Sequence, residues 1–125
     1  MVTKDVALAV KVLSKYKCTF AVRGGGHTPH KDSGANTDNG VTIDLGSMKT
    51  VTVSADKSTV AVKGGARWID VYSLLDTLGL AVSGGRVSPV GVGGLVTGGG
   101  ISFFTARYGF VCDNVKEYEV NTTAV

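Results

Sequence analysis

The alternation of apolar and polar positions divides the chain into two textures. At its start, Val6, Ala9, Val10 and Leu13 recur at helical spacing behind Thr3 and Asp5. That spacing predicts an amphipathic helix, capped by Thr3 and running to about Lys15. CTFAV at 18–22 is β-branched and aromatic and is closed by glycines, so a buried strand is expected there. Helix, strand and glycine turn in succession is how α/β proteins present backbone amides at the carboxyl end of a strand. HTPH at 27–30 and KDSGANTDNG at 31–40 continue as a polar loop full of turn formers.

From residue 41 the period drops to two. VTIDL (41–45), TVTVS (50–54) and STVAVK (58–63), separated by turn residues, predict an antiparallel meander. Gly64-Gly65 breaks it. RWIDVYSLLDTL (67–78) then carries apolar residues at 68, 71, 74, 75 and 78, a helical face that buries Trp68, and Gly79 falls where a helix-terminating glycine belongs. LAV at 80–82 reads as a short strand, ISFFTARY at 101–108 as a short helix or turn, and EYEVN at 117–121 as a final strand with no turn or cap behind it. The expected fold class is a single α+β (α/β) domain.

Composition narrows the function classes. With 125 residues, 43% of them hydrophobic, and a mean hydropathy of +0.20, the chain can build one small core and is not a disordered segment. The net charge of +3 is scattered, and its densest cluster, from Lys11 to Lys17, is the wet face of the first helix. There is no basic stripe with interleaved aromatics, so no nucleic acid is expected as a partner. No apolar run approaches the ~18 residues of a membrane span. The N-terminus lacks the apolar stretch of a signal peptide, and no membrane partner is expected. Cys18 and Cys112 match no metal-ligand or CxxC spacing, and no metal is expected. Cys18 is expected as a small buried hydrophobe, with a Cys18–Cys112 disulfide left open.

The glycines supply the candidate chemistry. Eight of the chain's eighteen lie in GGRVSPVGVGGLVTGGG (84–100), and three more in Arg23-Gly24-Gly25-Gly26-His27. Glycine loses the most backbone entropy on folding, so such concentration points to close approach, with amides aimed at a ligand. The two runs are therefore expected to form two walls of one site for an extended anionic ligand. His27 would project from backbone pressed on that ligand; the alternative is a loop histidine hydrogen-bonded locally. The absence of Gly-Lys-Ser/Thr excludes a P-loop, and Gly91-Val92-Gly93-Gly94 imitates the dinucleotide fingerprint only loosely. Arg23, ending a strand, is open between a structural ion pair and a phosphate contact, and Arg67 has a structural alternative too. Asp44 reads as structural, and Asp70 and Asp76 as the polar face of a helix. Asn121-Thr122-Thr123 is a glycosylation sequon, meaningful only in a secreted chain.

The succession FAVRGGGH, GVTIDLGSM, GGARWIDVYSLLDTLGLAVSGGR, VGVGGLVTGGGISFFTARYG and CDNVKEYEV resembles the FAD-binding (PCMH-type) domain of the vanillyl-alcohol oxidase and berberine-bridge-enzyme-like oxidoreductases, above all their fungal members. The match covers almost the whole chain in the family's order. It implies two α/β lobes with FAD between them, of which this chain holds the first and the start of the second. It implies FAD as cofactor, and it places Arg23, Gly24, Gly25, Gly26, His27 and Thr28 on the pyrophosphate turn. Val90, Gly91, Val92, Gly93, Gly94 and Leu95, with Gly98, Gly99 and Gly100, match the second cradle. Tyr108 and Gly109 match positions near the flavin.

In many relatives the histidine matching His27 is bonded to the flavin 8α-methyl. Bicovalent relatives also carry a cysteine where this chain has Val87, and Cys112 is not that cysteine. The resemblance implies that the chain ends inside the flavin domain, without the substrate domain or a catalytic base, so no catalytic residue is named. The function it implies is the FAD-binding domain of an oxidase or dehydrogenase acting on an alcohol, sugar or amine carbon, with a small-molecule substrate in full-length relatives. The alternative is a non-catalytic or partner-dependent flavin-binding fragment, self-associating through its unfinished C-terminal edge.

Overall fold

The computed structural model describes residues 1–30 and 39–122, so most of the polar loop expected at 31–40 lies outside the described residues. Helix α1 spans Thr3–Lys15 and buries Val6 and Val10, as its apolar spacing requires. Its cap differs from expectation: Thr3 is already helical, and Asp5 caps the start by accepting the Val2 N–H at 2.8 Å. That is the carboxylate half of a capping box, and it satisfies one of the amides a helix start leaves without a partner.

Strand β1 (Phe20–Arg23) pairs in parallel with β2 (Val41–Asp44), with Phe20 opposite Val41 and Arg23 opposite Asp44. The antiparallel meander is thus corrected. Only β3 (Val51–Val53) and β4 (Val60–Val62) form an antiparallel hairpin, while the strand at 41 belongs to a separate two-stranded sheet. Alternation reports which face of a strand is buried and says nothing about its neighbour. Here Asp44 turns the chain out of β2, its Oδ1 accepting the Gly46 N–H at 2.9 Å at the start of a 3-10 turn, Leu45–Ser47. Because β1 begins at Phe20, Cys18 falls in the preceding turn and is exposed rather than buried. Cys112 is half-buried, and both thiols are free.

Helix α2 (Trp68–Thr77) follows the predicted face, burying Trp68, Val71 and Leu75. Gly79 takes a φ of +64° just past its end. Three further elements follow: α3 (Val92–Thr97), α4 (Thr105–Tyr108) and a 3-10 turn at Val111–Asn114. The short strand expected at 80–82 does not form; Leu80 and Val82 pack against the core without a ladder partner. Nor does the strand expected at 117–121. Glu119 there makes an ion pair with Lys63 at 3.1 Å and takes a bond from the Thr3 side chain, which together hold its carboxyl below the ordinary range. The apolar positions of EYEVN, Tyr118 and Val120, stay exposed, so its alternation has no buried face behind it. The α+β class stands.

Two small cores result. Val6, Val10 and Ile43 pack with Phe20, Leu45 and Met48 between α1 and the parallel pair. Trp68, Val71, Leu75, Val92, Val96 and Val111 form the other, with Val51, Val53 and Val62 of the hairpin against it. No helix among the described residues is long and apolar enough to cross a membrane. Trp68 is the largest member of the second core and stacks on Tyr72 with 5.7 Å between ring centroids. Replacing it by alanine is expected to lower unfolding free energy by about 3–5 kcal/mol in urea titrations.

In the β3–β4 turn, the Asp56 carboxylate accepts the hydroxyls of Ser54 and Ser58 and the Ser58 N–H, which pull its pKa from 3.8 to about 2. Its stabilising contribution is therefore complete above the unfolded value near 3.8 and is lost as pH falls through about 2. Asp56→Asn should flatten that acid limb in thermal melts recorded from pH 5 downwards, leaving the neutral limb parallel to wild type.

Candidate functional site

The first glycine turn leaves the carboxyl end of β1, where Gly24 and Gly25 are half-buried and Gly26, with a φ of +66°, His27 and Thr28 are exposed. The second run does not face it across a gap. A Cβ on Gly25 would lie 2.4 Å from the Cα and N of Gly91, and one on Gly91 would lie 2.5 Å from the Gly25 nitrogen. The two backbones are in contact, so the expected pair of walls is a single continuous ledge.

A third segment, Gly64 to Trp68, seams the ledge together. The Trp68 N–H donates to the Val90 carbonyl at 3.0 Å and the Val92 N–H to the Ala66 carbonyl at 3.0 Å, pairing Arg67 with Gly91 in an isolated antiparallel bridge. The Arg67 guanidinium reaches the Gly25 carbonyl at 3.3 Å. The Gly64 carbonyl lies 3.0 Å from where a Gly24 Cβ would sit. Residues 64–67 can take this path because Gly65 passes directly over the Leu45 carbonyl, 1.7 Å from its would-be Cβ.

Not every glycine of the long run belongs to this ledge. Gly84 and Gly85 lie under the Trp68 ring, where added Cβ atoms would come within 2.4 and 2.6 Å of ring carbons. Gly100 is held between Leu95 and Val111. These three serve packing within the domain. Gly94 is the opposite case. It sits inside α3, is exposed, and a Cβ there would meet nothing within 4 Å. An interior helical glycine costs about 1 kcal/mol relative to alanine, and nothing within the protein requires this one.

Around Gly94 runs an open cleft of about 360 Å³ lined by Arg86, Val87, Val90, Leu95, Gly98, Gly100 and Ile101. Val92 faces away into the core, so only its backbone borders the ledge, and Gly93 packs on the Gly64 carbonyl at ordinary contact distance. Gly99 and Gly100 carry the next segment: their carbonyls accept the N–H groups of Cys112 and Val111, both at 2.9 Å. That connection brings Tyr108 and Gly109 to the same end of the domain, with the Asn114 amide donating to the carbonyls of Tyr108 and Phe110.

The two arginines separate. Arg23 pairs with Asp44, which pulls the carboxyl below its usual range and pushes the guanidinium up. Arg67 makes no ion pair among the described residues. His27 makes no hydrogen bond among them either, against the local bonding left open for it. Arg67 and Val87 are the border residues that glycine counting missed; GGARW at 64–68 was the available signal, because two glycines before an arginine and a helix start mark a close backbone passage. Among the described residues no cluster of His, Cys, Asp or Glu could hold a metal ion.

The FAD binding domain family matches residues 2–124. An FAD-dependent monooxygenase of Cochliobolus heterostrophus is 43% identical over 117 residues, covering 94% of this chain and 22% of its own. Among solved structures, 6-hydroxy-D-nicotine oxidase from Arthrobacter nicotinovorans superposes with a TM-score of 0.80 at 33% identity, covering 88% of this chain and 24% of its own. Berberine bridge enzyme in complex with (S)-reticuline superposes at 0.79 with 26% identity, over 88% and 22%. The chain thus spans roughly a quarter or less of the length of these relatives.

The contrast between glycines is open to measurement. Gly91→Ala should destabilise the domain by about 1–3 kcal/mol through overpacking, whereas Gly94→Ala should stabilise it by about 1 kcal/mol through helix propensity. Urea unfolding of both variants checks the pair; a destabilised Gly94→Ala would mean that Gly94 is needed by the fold itself.

Proposed function

The chain belongs to the FAD binding domain family, and on that premise we propose that it is the phosphate-anchoring part of a flavin-dependent oxidase or dehydrogenase acting on an alcohol, sugar or amine carbon. FAD is its cofactor. The observation that carries the reading is the ledge: two touching glycine segments beside a helical glycine that the fold itself leaves open. A surface cleared of Cβ atoms lets a ligand reach backbone amides, which suits a pyrophosphate.

On this reading the amides of Gly24, Gly25 and Gly26 and, in the segment from Val90 to Leu95, those of Gly91, Gly93 and Gly94 hold the phosphates, since the Val90, Val92 and Leu95 N–H groups already donate to Val87, Ala66 and Gly91. Gly98, Gly99, Gly100, Tyr108 and Gly109 border the adjoining part of the cofactor. The apolar lining of Val87, Val90, Leu95 and Ile101 suits a flat aromatic ring. FAD, when bound, supplies a two-electron acceptor, and the protein's part is to bind and orient it. His27 is proposed as the attachment point, supported by its exposure directly after Gly26 and its lack of a hydrogen-bond partner among the described residues.

The exposed Phe103, Phe104, Tyr108 and Phe110 favour a second form of the reading, in which firm flavin retention needs further polypeptide over that face.

Acid precipitation after incubation with FAD tests the attachment. Flavin absorbance should stay in the protein pellet for wild type and move to the supernatant for His27→Ala. Flavin in the supernatant for both would leave a non-covalent FAD domain and remove His27 as the link. No bound flavin in either, for folded protein with excess FAD, would support the partner-dependent form.

A further inference from the structure

We propose that Arg67, rather than Arg23, is the side chain that brings positive charge to the pyrophosphate, and that the same side chain straps the first glycine turn onto the second; the proposal rests on the FAD reading above. Its position is the first ground. The Arg67 main chain bridges Gly91 of the second run, while its guanidinium donates to the Gly25 carbonyl of the first. No other residue joins both runs in this way among the described hydrogen bonds.

Its charge is the second ground. The ion pairs among the described residues are Arg23–Asp44 and Lys63–Glu119, so Arg23 is already neutralised and Arg67 is not. Among the described residues the Arg67 guanidinium makes a single hydrogen bond, and it is exposed. Its remaining donors are arranged in a planar fork suited to phosphate oxygens. Arg86, within the second run, lines the apolar cleft and has no hydrogen bond to the first run among the described residues.

Chemistry supplies the third. Backbone amides offer partial charges to a pyrophosphate, and a ledge built only of glycine backbone would leave most of that negative charge unbalanced. A guanidinium anchored at the seam balances it, with its anchoring bond limiting the entropy lost when the ligand arrives.

The test is a titration of the 125-residue chain with FAD, followed by flavin fluorescence at low and high sodium chloride, with thermal melts of each variant. Arg67→Gln should bind FAD roughly tenfold more weakly at low salt. It should also lose most of the weakening that salt causes in wild type, since the screened charge is gone. Arg67→Lys should keep the salt response and lose only part of the affinity. Lys57→Gln, which removes one positive charge on the β3–β4 turn, should match wild type.

An Arg67→Gln variant with wild-type affinity and salt response would overturn the proposal. So would one whose affinity and melting temperature fall together while the salt response persists, because that describes a strap without a phosphate contact. Should Arg67→Gln not fold, the lysine variant decides: loss of its salt response overturns the proposal. A wild-type chain that binds no FAD would overturn this inference together with the self-sufficient form of the functional reading, whereas binding that ignores Arg67 would sink only this inference.

Discussion

Gly25 and Gly91 approach so closely that a methyl group on either would lie within 2.5 Å of the other's backbone, and the rest of the domain is arranged to permit that contact. The parallel pair β1–β2 delivers Gly25 to the meeting point. The bridge from Ala66 to Trp68 fixes Gly91 from the other side, through two main-chain bonds of 3.0 Å. Each half brings its own core, one under α1 and one under α2, and the glycine contact is where the halves share backbone. A side chain at either position would hold them apart, and the continuous ledge would open into a gap.

The glycines divide by what stands where their side chains would be. Some face neighbouring backbone, some face side chains such as the Trp68 ring, and Gly79, Gly94 and Gly99 face open space. The first two groups satisfy the interior's demand for close packing, under which even one added methyl group forces a shift. In the third, positive φ accounts for Gly79 and Gly99, so Gly94 alone is left without a reason inside the protein. Glycine density in 84–100 therefore overstates the ligand and understates the tryptophan. The same residue type answers to two causes, and the surroundings of each Cβ position tell them apart.

Charge shows a similar division. Arg23 lies beside the first glycine turn in sequence, yet it faces Asp44 across the parallel register that sets residue 23 opposite residue 44. An exposed pair of this kind adds little stability, but it removes Arg23 as a free cation. Arg67 is forty-two residues from Gly25 and touches it. Phe103, Phe104, Tyr108 and Phe110 remain exposed beside the segment that Gly99 and Gly100 carry. Relatives several times longer than this chain have additional polypeptide with which such a face could be covered.

The local elements were legible because they depend on near neighbours. Helical spacing marked α1 and α2, Gly79 marked where α2 stops, and period two marked the β3–β4 hairpin. The succession of short segments identified the family and its cofactor. What distant residues decide was not legible. The strand at 41 looked like its hairpin neighbours, since alternation carries no information about which strand lies alongside. EYEVN alternated without forming a ladder, and its apolar positions Tyr118 and Val120 stay exposed rather than packed on a core. Whether a glycine meets a tryptophan, another backbone or nothing, and whether an arginine is neutralised, depends on atoms brought together from across the chain. By itself the sequence determined the two long helices, the β3–β4 hairpin and the cofactor family they serve. Only the tertiary structure decided that the two glycine runs touch and that Arg67 lies at their seam, because contact and charge neutralisation act through space, across dozens of intervening residues.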